Sequence, residues 1–228
     1  MKRSKRQKKA DEIVDVSKSY SIEEAVDLLQ KCPKPKFDET VDMALKLGVD
    51  PKKADQQVRG TVHLPHGTGK KLRVVVFAKE AQAKEAMEAG ADFAGHQELI
   101  DKINSGWLEF DAVVATPDMM REVGKLAKIL GPRGLMPSPK TGSVTTDVAN
   151  AVKEIKAGKV EFKVNKMSVI DTGVGKLSFK KEQLVENIKT LLGAIQKARP
   201  ASAKHYLKSF VLSSTMGPGI KILNREIL

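Results

Sequence analysis

A mixed α/β protein in two units, the second inserted into the first, is the architecture this chain predicts. Its middle carries two unbroken, β-branched-rich apolar runs, Leu72 to Ala78 and Phe110 to Thr116, each followed by a helical stretch. Both ends carry alternating strands and amphipathic helices instead. Strands buried on both faces and alternating with helices make a small βαβ-type open sheet, while alternating strands beside helices make an α+β layer. At 228 residues the chain can build two modest cores, but neither end has the apolar content for one alone. The two arms therefore fold together and the middle is an insertion.

Residues 2 to 9 hold six basic side chains and no apolar one, so this segment is expected to stay mobile until it meets an anion, or to serve as a solubilising tail. Ser21-Ile22-Glu23-Glu24 has capping-box spacing, and Ala25, Leu28 and Leu29 continue one helical face until Pro33. Val41, Met43, Leu45, Leu47 and Val49 alternate with mostly polar neighbours, the mark of a half-buried strand. In the middle, Leu72 to Ala78 is a buried strand and Lys79 to Ala89 a helix ended by Gly90. A second buried strand at Phe110 to Thr116 precedes a helix from Met119 to Leu130, stopped by Gly131-Pro132. Beyond it, Val160 to Val164 alternates again, and Leu184, Ile188, Leu191, Leu192 and Ile195 form a helical stripe ending near Pro200. Two last strands, Phe210-Val211-Leu212 and Ile220-Lys221-Ile222, flank a small-residue loop from Ser213 to Gly219.

Forty Lys and Arg against 28 Asp and Glu give a formal charge of +12, which points to a polyanionic partner. The excess is uneven: residues 67 to 159 hold 14 basic and 12 acidic side chains, leaving 26 against 16 for the arms. No apolar run approaches the roughly 18 residues of a membrane span, and the basic Met1 to Arg6 is not followed by the apolar stretch of a secretory signal, so neither membrane insertion nor export is expected. Cys32, the single cysteine, can make neither an internal disulfide nor a thiolate cluster and reads as a small core residue in a reducing compartment.

Catalytic motifs are wanting. His66-Gly67-Thr68-Gly69-Lys70 ends like a phosphate-binding loop, but Leu64 stands where the leading glycine belongs and Lys71 where a magnesium-ligating hydroxyl belongs. Gly173-Val174-Gly175 lacks the third glycine of a dinucleotide fingerprint. His63, His66, His96 and His205 show no zinc spacing, and His63 and His66 are expected in a surface loop. No enzyme, cofactor or metal is expected.

Two loops have the composition for RNA. Lys34 to Thr40 sets basic residues beside the isolated Phe37, whose flat face suits a sugar or base, although the spacing leaves Phe37 equally readable as core. Ser213-Ser214-Thr215-Met216-Gly217-Pro218-Gly219 joins three hydroxyls to glycines that let the backbone approach a ligand, or is a plain strand connection. Lys163 and Lys166, near a strand end, add charge.

At these residues the chain resembles a known family. Phe37-Asp38-Glu39-Thr40-Val41, Asp55 through Val62, Glu88-Ala89-Gly90-Ala91-Asp92, Phe110 through Asp118, Gly124 through Pro137 and Thr215-Met216-Gly217-Pro218 are similar to the family-one stalk proteins of the bacterial large ribosomal subunit (universal ribosomal protein L-one). The agreement runs almost end to end. The resemblance implies an RNA-binding domain from residues 1–67 plus 160–228 and an inserted Rossmann-like domain at 68–159. It implies binding to the stalk region of large-subunit rRNA within the ribosome, a part in releasing deacylated tRNA from the exit site, and repression of its own operon through its mRNA. It further implies a cytoplasmic, ribosome-associated protein that is a monomer when free. The RNA contacts it implies are Phe37, Thr215, Met216 and Gly217, with Lys36, Thr40, Lys163, Lys166, Ser209, Ser213 and Pro218 beside them. The Gly131 to Pro137 motif is expected to be a positioning loop.

Overall fold

The computed structural model describes residues 4–200 and 206–223; residues 2 and 3 of the basic run and His205 lie outside these. The chain divides into two compact units, Met1–Gly69 with Val160–Leu228, and Lys70–Lys159.

The first arm opens on a helix where a free tail was expected. In α1 (Lys5–Ile13), Ser4 caps the first turn, its hydroxyl accepting from the Gln7 amide at 3.3 Å while its own amide donates to Gln7 Oε1 at 3.1 Å. Ala10 and Val14 are buried one helical turn apart, so a single small anchor per turn seats a segment whose composition shows no apolar face. Strand β1 (Ser19–Tyr20) follows, then α2 (Ile22–Lys31), whose N-cap is Ser21 with the reciprocal Glu24 bond in place. Cys32 closes α2 in the core, as its isolation suggested. Strand β2 (Thr40–Leu47) buries Val41, Met43, Leu45 and Leu47, and β3 (Arg59–His63) places His63 at a strand end rather than in a loop.

The middle unit is a three-stranded parallel sheet. Its strands β4 (Val74–Phe77), β5 (Phe93–Gly95) and β6 (Ala112–Ala115) lie in the order β5-β4-β6, with α3 (Glu80–Glu88) and α4 (Gln97–Asn104) between them in sequence. Gly90 ends the α3 region at φ 101°, a conformation that suits glycine. The expected single helix over Met119 to Leu130 is instead two short ones, α5 (Met120–Val123) and α6 (Ala127–Leu130), separated by a 3₁₀ turn at Gly124–Leu126. Glycine in mid-helix lowers the preference for α geometry, and the tighter turn keeps Val123, Leu126 and Leu130 on the core side. Helix α7 (Val148–Lys156) completes the unit.

Two apolar clusters explain why β4 has no alternation. Val75 and Phe77 meet Leu99, Ile100 and Ile103 of α4 on one face, whereas Val74 and Val76 meet Ala86 of α3 and Val148, Ala151 and Val152 of α7 on the other. Leu135 and Met136 of the glycine-proline loop pack on the first cluster, while Arg133 and Gly134 stay exposed.

The second arm supplies β7 (Lys159–Lys163), β8 (Val169–Lys176), α8 (Lys181–Lys197), β9 (Leu207–Ser214) and β10 (Ile220–Ile222). Strand β7 pairs with β3, and the others join a five-stranded sheet in the order β1-β10-β9-β2-β8. Strand β2, from the first arm, lies between β9 and β8 of the second and is antiparallel to both. One cluster therefore holds both arms: β2's inward residues, Ile22, Val26 and Leu29 of α2, and Leu184, Ile188 and Leu191 of α8. Asn187 is fully buried in α8 and satisfied there, donating to the carbonyls of Gly67 and Val174 at 3.0 and 2.8 Å and accepting from the His66 amide at 3.2 Å. The His66-Gly67 turn is thus pinned to α8.

With α2 and α8 on one side, no helix of the described residues covers the sheet's other face. Asp42 and Lys46 of β2 and Ser209 of β9 are exposed there, and Ala44, Val211 and Ser213 are half-buried.

Candidate nucleic-acid interface

At one end of this open face, the segment before β2 and the loop after β9 are tied into one block. The Asp38 carboxylate accepts from the Ser178 hydroxyl at 2.8 Å and from its amide at 3.2 Å. Glu39, only 4% exposed, turns inward; Oε1 accepts from the Met216 amide at 2.8 Å and Oε2 from the Ser214 hydroxyl at 3.2 Å. Thr40 and Thr215 interlock: the Thr40 amide donates to Thr215 Oγ1 at 3.1 Å, and the Thr215 amide to the Thr40 carbonyl at 3.1 Å. Lys176 Nζ reaches the Asp38 carbonyl at 3.3 Å and Thr40 Oγ1 at 3.2 Å. Burial and then the Glu39 carboxylate push the Cys32 thiol up, so it is protonated and unreactive at neutral pH.

Three of the four residues Phe37-Asp38-Glu39-Thr40 are therefore fasteners, and the fourth is displayed. Phe37 is 53% exposed and Met216, across the same block, is 52% exposed. Both large apolar side chains are held in water by a pinned backbone and not packed in the core. The reading of Phe37 as core is thereby excluded.

The loop's amides are used internally. Those of Thr215, Met216 and Gly217 donate to the Thr40 carbonyl, Glu39 and the Ser214 carbonyl respectively. Position 217 also has an internal reason to be glycine. A Cβ there would collide with Ser214 Oγ, the atom bonded to Glu39. Gly217→Ala is expected to displace that hydroxyl and cost about 1–3 kcal/mol of loop stability. Faster amide exchange at Met216 and Gly217, with exchange in α8 unchanged, would record it; parent-like exchange throughout would remove this role for Gly217.

The other expected residues fall along the open face and at its far end. Register pairs Ser213 with Asp42 and Ser209 with Lys46, so the two serines share a face. Thr40 and Lys46 are six residues apart on β2, about 20 Å at strand rise. Beyond Lys46 lies the turn that carries Lys166: Asn165 Oδ1 accepts from the Met167 and Val169 amides at 2.8 and 3.0 Å, Ser168 takes φ 62°, and its carbonyl accepts from Leu47 at 2.8 Å. Lys166 and Met167 project from this turn, Met167 being 75% exposed. The structure thus gathers Lys36, Phe37, Thr40, Ser213, Thr215, Met216, Gly217 and Pro218 at one end, sets Lys166 at the other and Ser209 beside it. Lys163 is exposed on β7, which pairs with β3 in the two-stranded sheet.

Sequence reading passed over Lys46 and Lys221, exposed on the same side, and Lys176 at the near end. The polar positions of β2's own alternation were the available signal for Lys46. Asp42 and Asp171 also face outward, placing carboxylates between the basic ends. Phosphates are favoured at the ends, and the middle suits groups that donate hydrogen bonds, such as ribose 2′-hydroxyls and base amino groups.

Among the described residues no cluster of His, Cys, Asp or Glu is set to hold a metal ion, and no helix is long and apolar enough to cross a membrane. Residues 28–218 match the model of the ribosomal protein L1p/L10e family, a span that includes both ends of the open face. The chain is 62% identical to the large ribosomal subunit protein uL1 of Protochlamydia amoebophila, over 98% of this chain and 95% of that protein. It is 62% identical to the protein of the same name from Chlamydia pneumoniae over 94% and 93%, and 56% identical to that of Chlamydia trachomatis serovar D over 100% and 98%. By name these relatives are proteins of the large ribosomal subunit. A pinned loop displaying Phe37 and Met216, a basic-ended sheet face and full-length identity to such proteins agree: the chain belongs to the ribosomal protein L1p/L10e family.

Proposed function

We propose that the chain is a structural constituent of the large ribosomal subunit and binds large-subunit rRNA with the open sheet face and its two ends. The observation that carries this reading is the display of Phe37 and Met216 on a block whose backbone is fastened from beneath. Such a block meets RNA without further ordering, so little conformational entropy opposes binding. Phe37 stacks on a base or sugar, Met216 fills the adjoining shallow groove, and Lys36, Lys46 and Lys166 attract phosphates.

Finer assignments follow from the same reading. The arms, residues 1–67 with 160–228, form the RNA-binding domain, and 68–159 an inserted Rossmann-like domain, a reading supported by the compact units and the parallel sheet. The rRNA site is the stalk, where the protein assists release of deacylated tRNA from the exit site. A similar RNA structure in its own operon's mRNA lets the free monomer repress translation. The protein acts in the cytoplasm, on the ribosome.

Phe37→Ala and Met216→Ala test the site. Each is expected to weaken binding of a large-subunit stalk rRNA fragment by on the order of tenfold, as removal of one stacking or groove interaction does. The slope of log affinity against log salt should stay unchanged because no charge is removed. Parent-like affinity in both variants would show that the displayed pair does not touch RNA.

A further inference from the structure

We propose that α1 is a second arm of the RNA surface, in which Arg6 couples the helix to the Met216 loop and Lys5, Lys8 and Lys9 form a phosphate-binding row. This rests on the reading of the loop as an RNA contact. Arg6 Nη2 donates to the Met216 carbonyl at 3.3 Å, 210 residues away in sequence. Helix and loop further share a cleft lined by Arg6, Gln7, Ala10, Cys32, Met216 and Pro218. The amide of Met216 is held by Glu39 and its carbonyl by Arg6, so the helix completes the fastening of the displayed side chain.

The lysines have no such internal duty. Arg6, Ala10 and Val14, spaced by four, form the seated face, and Lys5, Lys8 and Lys9 lie at i, i+3 and i+4 on the other side, all exposed. Among the described residues none of the three makes an ion pair; the only carboxylates of α1, Asp11 and Glu12, sit toward its C-terminal end. Like charges at these spacings repel, and cations in the first turns oppose the helix dipole. The first turn of α1 also contains no acidic residue to offset them. A helix with this charge pattern is disfavoured in isolation and favoured beside a polyanion. RNA lying over Met216 supplies one at the right end of the helix.

The test uses the full chain and a large-subunit stalk rRNA fragment, with a shuffled fragment of equal length as reference. The Lys5→Gln, Lys8→Gln, Lys9→Gln triple variant keeps helix formers in place and removes only charge. It is expected to weaken binding roughly 10- to 100-fold at low salt and to flatten the slope of log affinity against log salt by about 2 units, at roughly 0.7–0.9 for each phosphate no longer neutralised. Lys52→Gln with Lys53→Gln, beyond the opposite end of β2, should change the slope by less than half as much. RNA should also slow amide exchange across α1 in the parent. Equal slopes for the triple variant and the parent, or no protection of α1, would overturn the proposal while leaving the loop assignment intact. Equal affinity of the parent for stalk and shuffled RNA would overturn both.

Discussion

Glu39→Ala is expected to lower affinity for large-subunit rRNA by roughly 30- to 150-fold although Glu39 itself is hidden from the RNA. The carboxylate joins the start of β2 to the loop after β9 by accepting from the Met216 amide and the Ser214 hydroxyl. Alanine strands both donors, and an unpaired buried polar group costs about 1–3 kcal/mol. Two such groups together are relieved only if the loop opens, and binding must then restore the closed loop at a cost of about 2–3 kcal/mol, which is the stated range. Glu39→Gln separates charge from geometry. Its oxygen can accept from Met216 while its amide donates to Ser214 Oγ, so affinity should stay within about fivefold of the parent. If alanine and glutamine lose affinity equally, the negative charge matters and not the fastening. If neither loses any, the loop is held without Glu39.

Which parts of this arrangement were legible in the sequence depends on whether a residue's partner lies near it in the chain. The α2 cap was readable because Ser21 and Glu24 satisfy one another across three residues. So was β2, whose burial alternates strictly from Val41 to Leu47. Strand β8 was not: Gly173 and Gly175 interrupt its pattern, and their reason is tertiary, since a Cβ on Gly175 would come 2.9 Å from Leu184 of α8. Helix α1 was misread as a tail because its anchors are one alanine and one valine, while its tie to Met216 spans the whole chain.

The loop after β9 shows the same division. Resemblance pointed to Phe37 and to residues 215–217, but not to their different duties. Phe37 and Met216 are presented; Thr215 and Gly217 shape the presentation, one by bonding Thr40 and the other by leaving room for Ser214. Lys163 was grouped with the site because it is basic and near a strand end; its strand pairs with β3, so no register ties it to β2 as register ties Ser209 and Ser213.

A chain lacking residues 68–159, with the arms joined by a short Gly/Ser linker, should keep its affinity for stalk rRNA within about tenfold, and the isolated middle should bind on the order of 1000-fold more weakly, in the range of non-specific electrostatic binding. Two independent features of the molecule lead here. The apolar cluster under the five-stranded sheet is built wholly from the arms, so removing the middle takes no residue from it. The arms also carry 26 basic side chains against 16 acidic, while residues 67 to 159 carry 14 against 12. Circular dichroism should show that the joined arms retain helix, and RNA-induced protection from amide exchange in the intact chain gives a check that needs no truncation. Protection should fall on Thr40–Leu47 and Leu207–Ser214 and spare Val74–Phe77 and Ala112–Ala115. A middle fragment that binds as tightly as the full chain, or protection confined to β4 and β6, would move the RNA site out of the arms, because no arrangement of a nearly neutral unit reproduces a surface made by Phe37, Met216 and the lysines at the two ends of the sheet.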